Sequence, residues 1–417
     1  MWNDRKVGEV EALIKKAPLQ HDIIGSRILS PYEETFLSLA QQRGGFYNAH
    51  GHLDRADTVD DIYLKHINIT PQEASLQPLS VKQILVGNLH QGLAYTEENL
   101  LERMSRVAER LISYGTTGFA TCIDVPLDQE LNDDLRAWRV AQKIKQIFAD
   151  RIAIRLGPHP IFGLKEGTNR WEAYREAAKE ADFLTALPEK DLYFSEKDRD
   201  GKVGFRKHIR MILELACELK KEVHLHLDQA NDPSEEGTKT LIDGLRWLDQ
   251  PVIGDHFGPS VWAIHMLSPS AYSELEFARV LDGLLEHNIG VIVCPTAAIS
   301  MRQLRPLAGP IHNSVARVLE LIKCKVPLLF GSDNIADLFV PQTNGDMLEE
   351  FKVAGLGLRF PLLDVLAKLA AAERLNEVDR TRAGQALYQD DKVFRERDPN
   401  WISAVDLVKD FEKKRWY

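Results

Sequence analysis

Eight short apolar runs, each set off from the next by a longer segment or loop, dominate the chain between residues 46 and 330. They are Phe46–Ala49, Thr117–Val125, Ile152–Leu156, Phe183–Leu187, Val223–Leu227, Val261–Met266, Gly290–Cys294 and Val326–Phe330. Helix-like segments lie among them: Glu98–Ser113, Leu131–Phe148, Trp171–Glu180, Lys207–Lys220, Glu274–Glu286 and Val315–Ile322. Repeated switching between strand-like and helix-like periods points to parallel βα units. Eight strands over about 285 residues fit an α/β fold of the (β/α)8 TIM-barrel type better than an open sheet. The flanks read as helical, with Val7 to Lys16 and Pro31 to Gln42 at one end and Leu363–Glu373 and Ala404–Lys413 at the other. The expected division is an N-terminal extension 1–45, a barrel 46–362 and a C-terminal extension 363–417. Neither an internal repeat nor an interdomain linker is evident.

A chain of 417 residues can bury a large core, and its 44% hydrophobic and 27% charged residues are those of a soluble globular protein. The net charge of −10 is spread over interspersed acids and bases, which argues against nucleic acid as a partner. No apolar stretch is long enough to span a bilayer, and the charged start Met1–Lys6 lacks the apolar core of a secretory signal. Cys122, Cys217, Cys294 and Cys324 are scattered, mostly within apolar runs. They read as buried thiols in a reducing compartment, and the expected location is the cytoplasm.

Chemistry concentrates where the apolar runs end. His50 and His52 flank Gly51 at the end of the first. Side chains alternate along a strand, so both imidazoles face one side and can grip a metal from one direction. Taken alone, a His-x-His pair is weak evidence. It gains weight from His226, His265 and Asp333, each at the end of a separate later run. In Val223-His224-Leu225-His226-Leu227-Asp228-Gln229, strand alternation puts residues 224, 226 and 228 on one face. His226 is the better ligand candidate, and His224 reads as a core histidine bonded to a polar neighbour. Asp333 could be only a helix N-cap, and His265 only a satisfied histidine at a strand end. Together the imidazoles and the carboxylate suit Zn²⁺, Fe²⁺ or Mn²⁺ with one position open for water. Such a water becomes hydroxide-like near neutral pH, with Asp333 to take its proton and His265 to hold the attacking water or the oxyanion.

In this order the residues resemble the amidohydrolase superfamily, and within it the cytosine deaminase-like group, from about Phe46 to about Leu358. Ala49-His50-Gly51-His52-Leu53-Asp54 resembles the family's HxHLD, and Thr121-Cys122-Ile123-Asp124-Val125 its TxxDV. His226-Leu227-Asp228-Gln229 with Asp232 resembles HxDExxD, and Phe330-Gly331-Ser332-Asp333-Asn334 with Asp337 and Pro341 resembles FGxDD. The resemblance implies that His50, His52, His226 and Asp333 bind the metal and that His265 assists the attacking water. It implies one divalent ion, with zinc first and iron or manganese as alternatives. Glu189 and Lys190 stand where some members of the superfamily carry a bridging group for a second ion. Asp228, Asn334 and Glu189 are expected to face substrate. His256 lies on a turn-like loop that reads as surface, although the loop could reach the mouth of the barrel.

Two positions depart from the deaminase pattern. Gln229 stands where the deaminases use a glutamate to carry a proton, and an amide cannot release one that way. His159, in Leu156-Gly157-Pro158-His159-Pro160, replaces a substrate-binding glutamine and suits a more acidic substrate. The chain ends also differ, because both read as helical and leave the flanking β-sandwich of the family reduced or absent. Such barrels often self-associate, so a homo-oligomer is one expectation. The expected activity is metal-dependent hydrolysis of a C–N bond (amide, cyclic amide or amidine-like) in a small nitrogen-containing molecule. The alternatives are a deaminase of a pyrimidine- or triazine-like ring, and a non-catalytic binding protein on a retired barrel.

Overall fold

Each of the eight apolar runs forms a strand, and every strand pairing is parallel. The computed structural model describes residues 28–125, 135–165, 169–193, 201–248, 252, 258–301 and 315–408. The expected helix at 7–16 and His256 lie outside them. The chain divides into two units: Met1–Phe183 with Ser332–Leu348, and Leu184–Gly331 with Glu349–Tyr417.

The first unit holds β1 (Phe46–Gly51), β2 (Thr116–Asp124) and β3 (Ala153–His159) in one sheet of that order. The helix Glu97–Ser113 starts at Thr96, whose hydroxyl accepts from the Asn99 N–H at 3.3 Å. It buries Leu100, Leu101, Met104, Val107, Ala108 and Leu111 along one stripe. Helix Arg136–Ile147 buries Ala137, Trp138, Val140, Ala141 and Ile144 in the same way. Helix Leu79–Gln91 does not follow from the apolar pattern, because two of its buried residues, Gln83 and His90, are polar.

The second unit carries a five-stranded sheet of β4 (Leu184–Ala186), β5 (Val223–Leu227), β6 (Val261–His265), β7 (Ile289–Val293) and β8 (Leu328–Phe330), paired in chain order. All residues of β5, β6 and β7 are buried, as expected for parallel strands covered on both faces. Helices Phe205–Leu219, Gly237–Arg246 and Glu274–Glu286 follow β4, β5 and β6. Helices Leu363–Ala370 and Glu377–Arg397 come later in the chain. The first of these stops three residues short of the expected Leu363–Glu373, and the helix expected at Ala404–Lys413 is described only over Ala404–Leu407. Among the described residues no strand precedes β1 or follows β8, and no helix is long and apolar enough to cross a membrane. Cys122, Cys294 and Cys324 are buried free thiols, and Cys217 is half-buried.

Candidate active site

In the first unit, the alternation of β1 turns Asn48, His50 and His52 toward a single segment, Ser332–Asn334. The Asn48 amide donates to Ser332 Oγ at 2.8 Å, and its carbonyl accepts the Ser332 N–H at 3.0 Å. Backbone bonds continue the pairing, with Asp333 N–H donating to the His50 carbonyl at 2.9 Å and His52 N–H to the Asp333 carbonyl at 3.1 Å. Gly51 forms a parallel bridge with Asp333. A Cβ on Gly51 would lie 2.7 Å from the Phe119 ring, so only glycine fits between the two histidines. The result is convergence: His50 Nε2 and His52 Nε2 each stand 3.3 Å from Asp333 Oδ1. The Asn334 amide donates to Asp333 Oδ2 at 2.9 Å, so this residue, expected to face substrate, orients the carboxylate. His159 packs edge-on against His52 with ring centroids 5.1 Å apart.

Burial is nearly complete, at 0% exposure for His50, 2% for His52 and 6% for Asp333. Burial, reinforced by the nearby Arg55 charge, pushes the His52 imidazole down to about 3 against the opposing pull of Asp333. His52 is therefore neutral, the form that binds metal. Two imidazole nitrogens and a carboxylate oxygen aimed at one point suit a divalent cation in chemistry and in placement.

Behind β1 lies a polar cluster that the sequence did not announce. Asp54 accepts the Tyr95 hydroxyl at 2.8 Å and the Asp124 N–H at 3.0 Å. Asp124 meets His90 Nε2 at 3.2 Å and Arg55 Nη1 at 3.7 Å. Asp54, His90 and Asp124 can bring one ligand atom each within 4.8 Å of one another. Burial and the neighbouring Asp124 charge hold the Asp54 carboxyl well above its usual range, whereas the Arg55 charge and His90 keep Asp124 ionised despite its burial. Arg103 anchors the turn after β1, donating to the carbonyls of Asp54 at 3.1 Å, Ala94 at 2.5 Å and Ala56. Asp54 and Asp124 are visible in the sequence only as motif letters. His90 has no periodic signal, because it faces inward from a weakly amphipathic helix.

In the second unit, His226, next to last in β5, has Nδ1 3.0 Å from the Ala186 carbonyl at the end of β4. A carbonyl only accepts, so Nδ1 carries the proton and Nε2 the lone pair that a metal would use. The His265 ring lies 5.5 Å from that of His226. His265 sits at φ +79°, in the left-handed region that side chains rarely adopt. His224 is a core histidine, with Nε2 2.7 Å from Glu222 Oε1 and its ring edge-on to Trp262. Gln229 is 7% exposed, and its amide nitrogen has no hydrogen-bond partner among the described residues. Glu189 and Lys190 are half-buried in the short helical turn Pro188–Asp191.

Asp228, expected to face substrate, has its carboxylate bonded to the start of the following helix. β5 stops at Leu227, and Asp228 takes φ +55°, which breaks the alternation that would have aligned it with His226. Its carboxylate accepts from the Gly237 N–H at 2.6 Å, the Thr238 N–H at 2.9 Å and the Thr238 hydroxyl at 2.6 Å. It ties the following helix to the end of β5. The sequence also missed Glu235, which accepts from the Ala230 N–H at 2.9 Å and the Ser268 hydroxyl at 2.6 Å. Its burial, with the Asp228 charge adding to the effect, raises it to about 8.

No protein-family model matches the chain. An uncharacterised protein of Haemophilus influenzae is 26% identical over 286 residues, 67% of this chain and 91% of that protein. Among solved structures, 5-methylcytosine deaminase from Klebsiella pneumoniae, liganded with 5-fluorocytosine, superposes with a TM-score of 0.64 at 21% identity, over 84% of this chain and 75% of that one. N-isopropylammelide isopropylaminohydrolase from Burkholderia multivorans gives 0.54 at 17% identity, over 82% and 74%. Arabidopsis ADAL, complexed with GMP, gives 0.54 at 14% identity, over 86% and 98%. The chain has the fold that these proteins share.

Proposed function

We propose that the chain is a cytosine deaminase-like member of the amidohydrolase superfamily, a metal-dependent hydrolase of C–N bonds in small nitrogen-containing molecules. In this reading the eight strands close into a (β/α)8 barrel over residues 46–362, with helical extensions on either side. His50, His52, His226 and Asp333 hold one divalent cation, zinc in the first instance. The observation that carries the reading is the convergence of His50 Nε2 and His52 Nε2 on a single oxygen of Asp333. Its support in the second unit is the Nδ1 bond of His226 to Ala186, which turns Nε2 into the donor.

The cation supplies acidity to a water molecule and polarises the carbon under attack. Asp333 takes the water's proton, held in place by the Asn334 amide. His265 stabilises negative charge developing on the substrate oxygen or nitrogen. The Gln229 amide donates to a substrate carbonyl or accepts from a ring N–H. His159, packed on His52, meets an acidic or strongly polar substituent.

Gln229 favours cleavage of an amide or cyclic amide, because it removes the ring-nitrogen proton carrier. The second reading, deamination of a pyrimidine- or triazine-like ring, is favoured by the fold likeness to 5-methylcytosine deaminase. A screen of cyclic amides, aminopyrimidines, aminotriazines and pterins, followed both by ring absorbance and by ammonia release, separates the two. Turnover without ammonia supports the first, ammonia release supports the second, and no turnover with metal bound returns the chain to a binding role.

A further inference from the structure

The proton carrier that Gln229 cannot be has a candidate within the same loop. Asp228 is unsuited, since both of its oxygens are occupied at the start of helix Gly237–Arg246. Glu235 lies six residues beyond Gln229 and folds back onto it, accepting the N–H of Ala230, the residue next to Gln229. The Ser268 hydroxyl, just past β6, donates to the same oxygen, Oε2. Glu235 is thereby fixed between the exits of β5 and β6, the strands that carry His226 and His265. Both donors reach Oε2, which leaves Oε1 as the oxygen that can carry and deliver a proton.

We propose that Glu235 is the general acid of this site, replacing on the β5 loop the glutamate that Gln229 displaces. The inference rests on the hydrolase reading above. Glu235 gives its proton to the leaving nitrogen as the C–N bond breaks, while water adds its oxygen to the carbon and its proton goes to Asp333. Asp333 then releases that proton to solvent and Glu235 takes one back, so the cycle closes with one water consumed. Such an acid must be protonated near neutral pH. Burial and two acidic neighbours, Asp228 on its own loop and Glu189 after β4, favour that state against the opposing pull of the Ser268 and Ala230 donors. The phenol of Tyr272 donates to the Glu235 backbone carbonyl rather than to its side chain. Among the described residues, Lys239 lies 4.3 Å over the Tyr272 ring and pairs with Glu236 and Glu276.

A purely structural Glu235 would staple the loop equally well as glutamine, because Gln keeps an acceptor oxygen for Ala230 and Ser268 but carries no acidic proton. Glu235→Gln therefore separates the two roles. The prediction is full metal content, an intact fold and a roughly 100- to 10,000-fold loss of kcat on whichever screened cyclic amide or amino-heterocycle the native protein cleaves. Adding Gln229→Glu to that variant should restore part of the loss. Infrared difference spectra between about pH 6 and about pH 10 supply a readout that needs no substrate. A protonated carboxyl band should be present in the native protein at the lower pH, titrate away, and be missing from Glu235→Gln. Absence of that band overturns the proposal, as does a Glu235→Gln protein that turns over within about twofold of native. Native protein that binds metal but cleaves none of the screened compounds contradicts the hydrolase reading itself and this assignment with it.

Discussion

The two units organise polar residues in different ways. In the first, acids and bases are packed together and bonded to one another: His50, His52 and Asp333 at one end of β1, with Asp54, Arg55, His90, Tyr95 and Asp124 behind them. In the second, the sheet is largely apolar, with Thr185 and His224 inside it, and near the strand exits His226 meets the Ala186 carbonyl while Glu235 accepts from the Ala230 N–H and the Ser268 hydroxyl. A dense network fixes donor atoms rigidly, which suits gripping an ion. Buried titratable groups held away from their usual values, such as Asp54 in the first unit and Glu235 in the second, suit moving protons. On the reading proposed above, three of the proposed ligands, His50, His52 and Asp333, lie in the first unit, and the proposed acid Glu235 lies in the second.

The sharpest way to break that contrast is to remove a ligand. His52→Ala should lose bound metal and, with it, activity by more than the roughly 10- to 100-fold typical of an outer partner. Elemental analysis that still finds full metal in this variant would contradict the assignment. The rigidity of the first unit is tested by Arg103→Met, which leaves the carbonyls of Asp54, Ala56 and Ala94 without their donor. A loss of about 3 kcal/mol or more in denaturant unfolding is expected, and a change below about 1 kcal/mol would show that the turn after β1 does not depend on this arginine.

In the second unit Asp228→Ala should cost about 1–2 kcal/mol through the lost helix start, with metal content unchanged. Metal loss in that variant would mean that the carboxylate reaches further than its three hydrogen bonds. The last effect is on pH dependence. Glu235 sits at about 8, above its usual 4.5, so the native state holds its proton more tightly than the unfolded chain does. Its contribution is fully present below the unfolded value and declines as pH rises through that interval. Glu235→Gln should flatten this part of the stability profile, and an unchanged slope between the two values would place the titration elsewhere.

The strands were legible because their burial on both faces writes continuous apolar runs into the sequence. Their ends were legible as well, since His50, His52, His226, His265 and Asp333 stand at or just past them. What the pattern could not carry lies where periodicity stops. Asp228 was read by extending β5 one residue too far, across a left-handed backbone that turns its carboxylate toward the next helix. Glu235 belongs to a loop, where no period exists, and it reaches its place by bonding back to Ala230. His90 faces inward from a helix whose buried side includes polar residues, so its contact with Asp124, 34 residues away, has no local signature.

Whether this chain holds a divalent ion is decided by metal stoichiometry. Native protein purified without chelator, and again after reconstitution with zinc, should contain about one equivalent per chain, and Asp333→Asn and His226→Ala should each fall well below that. Native protein that holds no metal even after reconstitution would contradict the account, whatever the geometry of His50, His52 and Asp333.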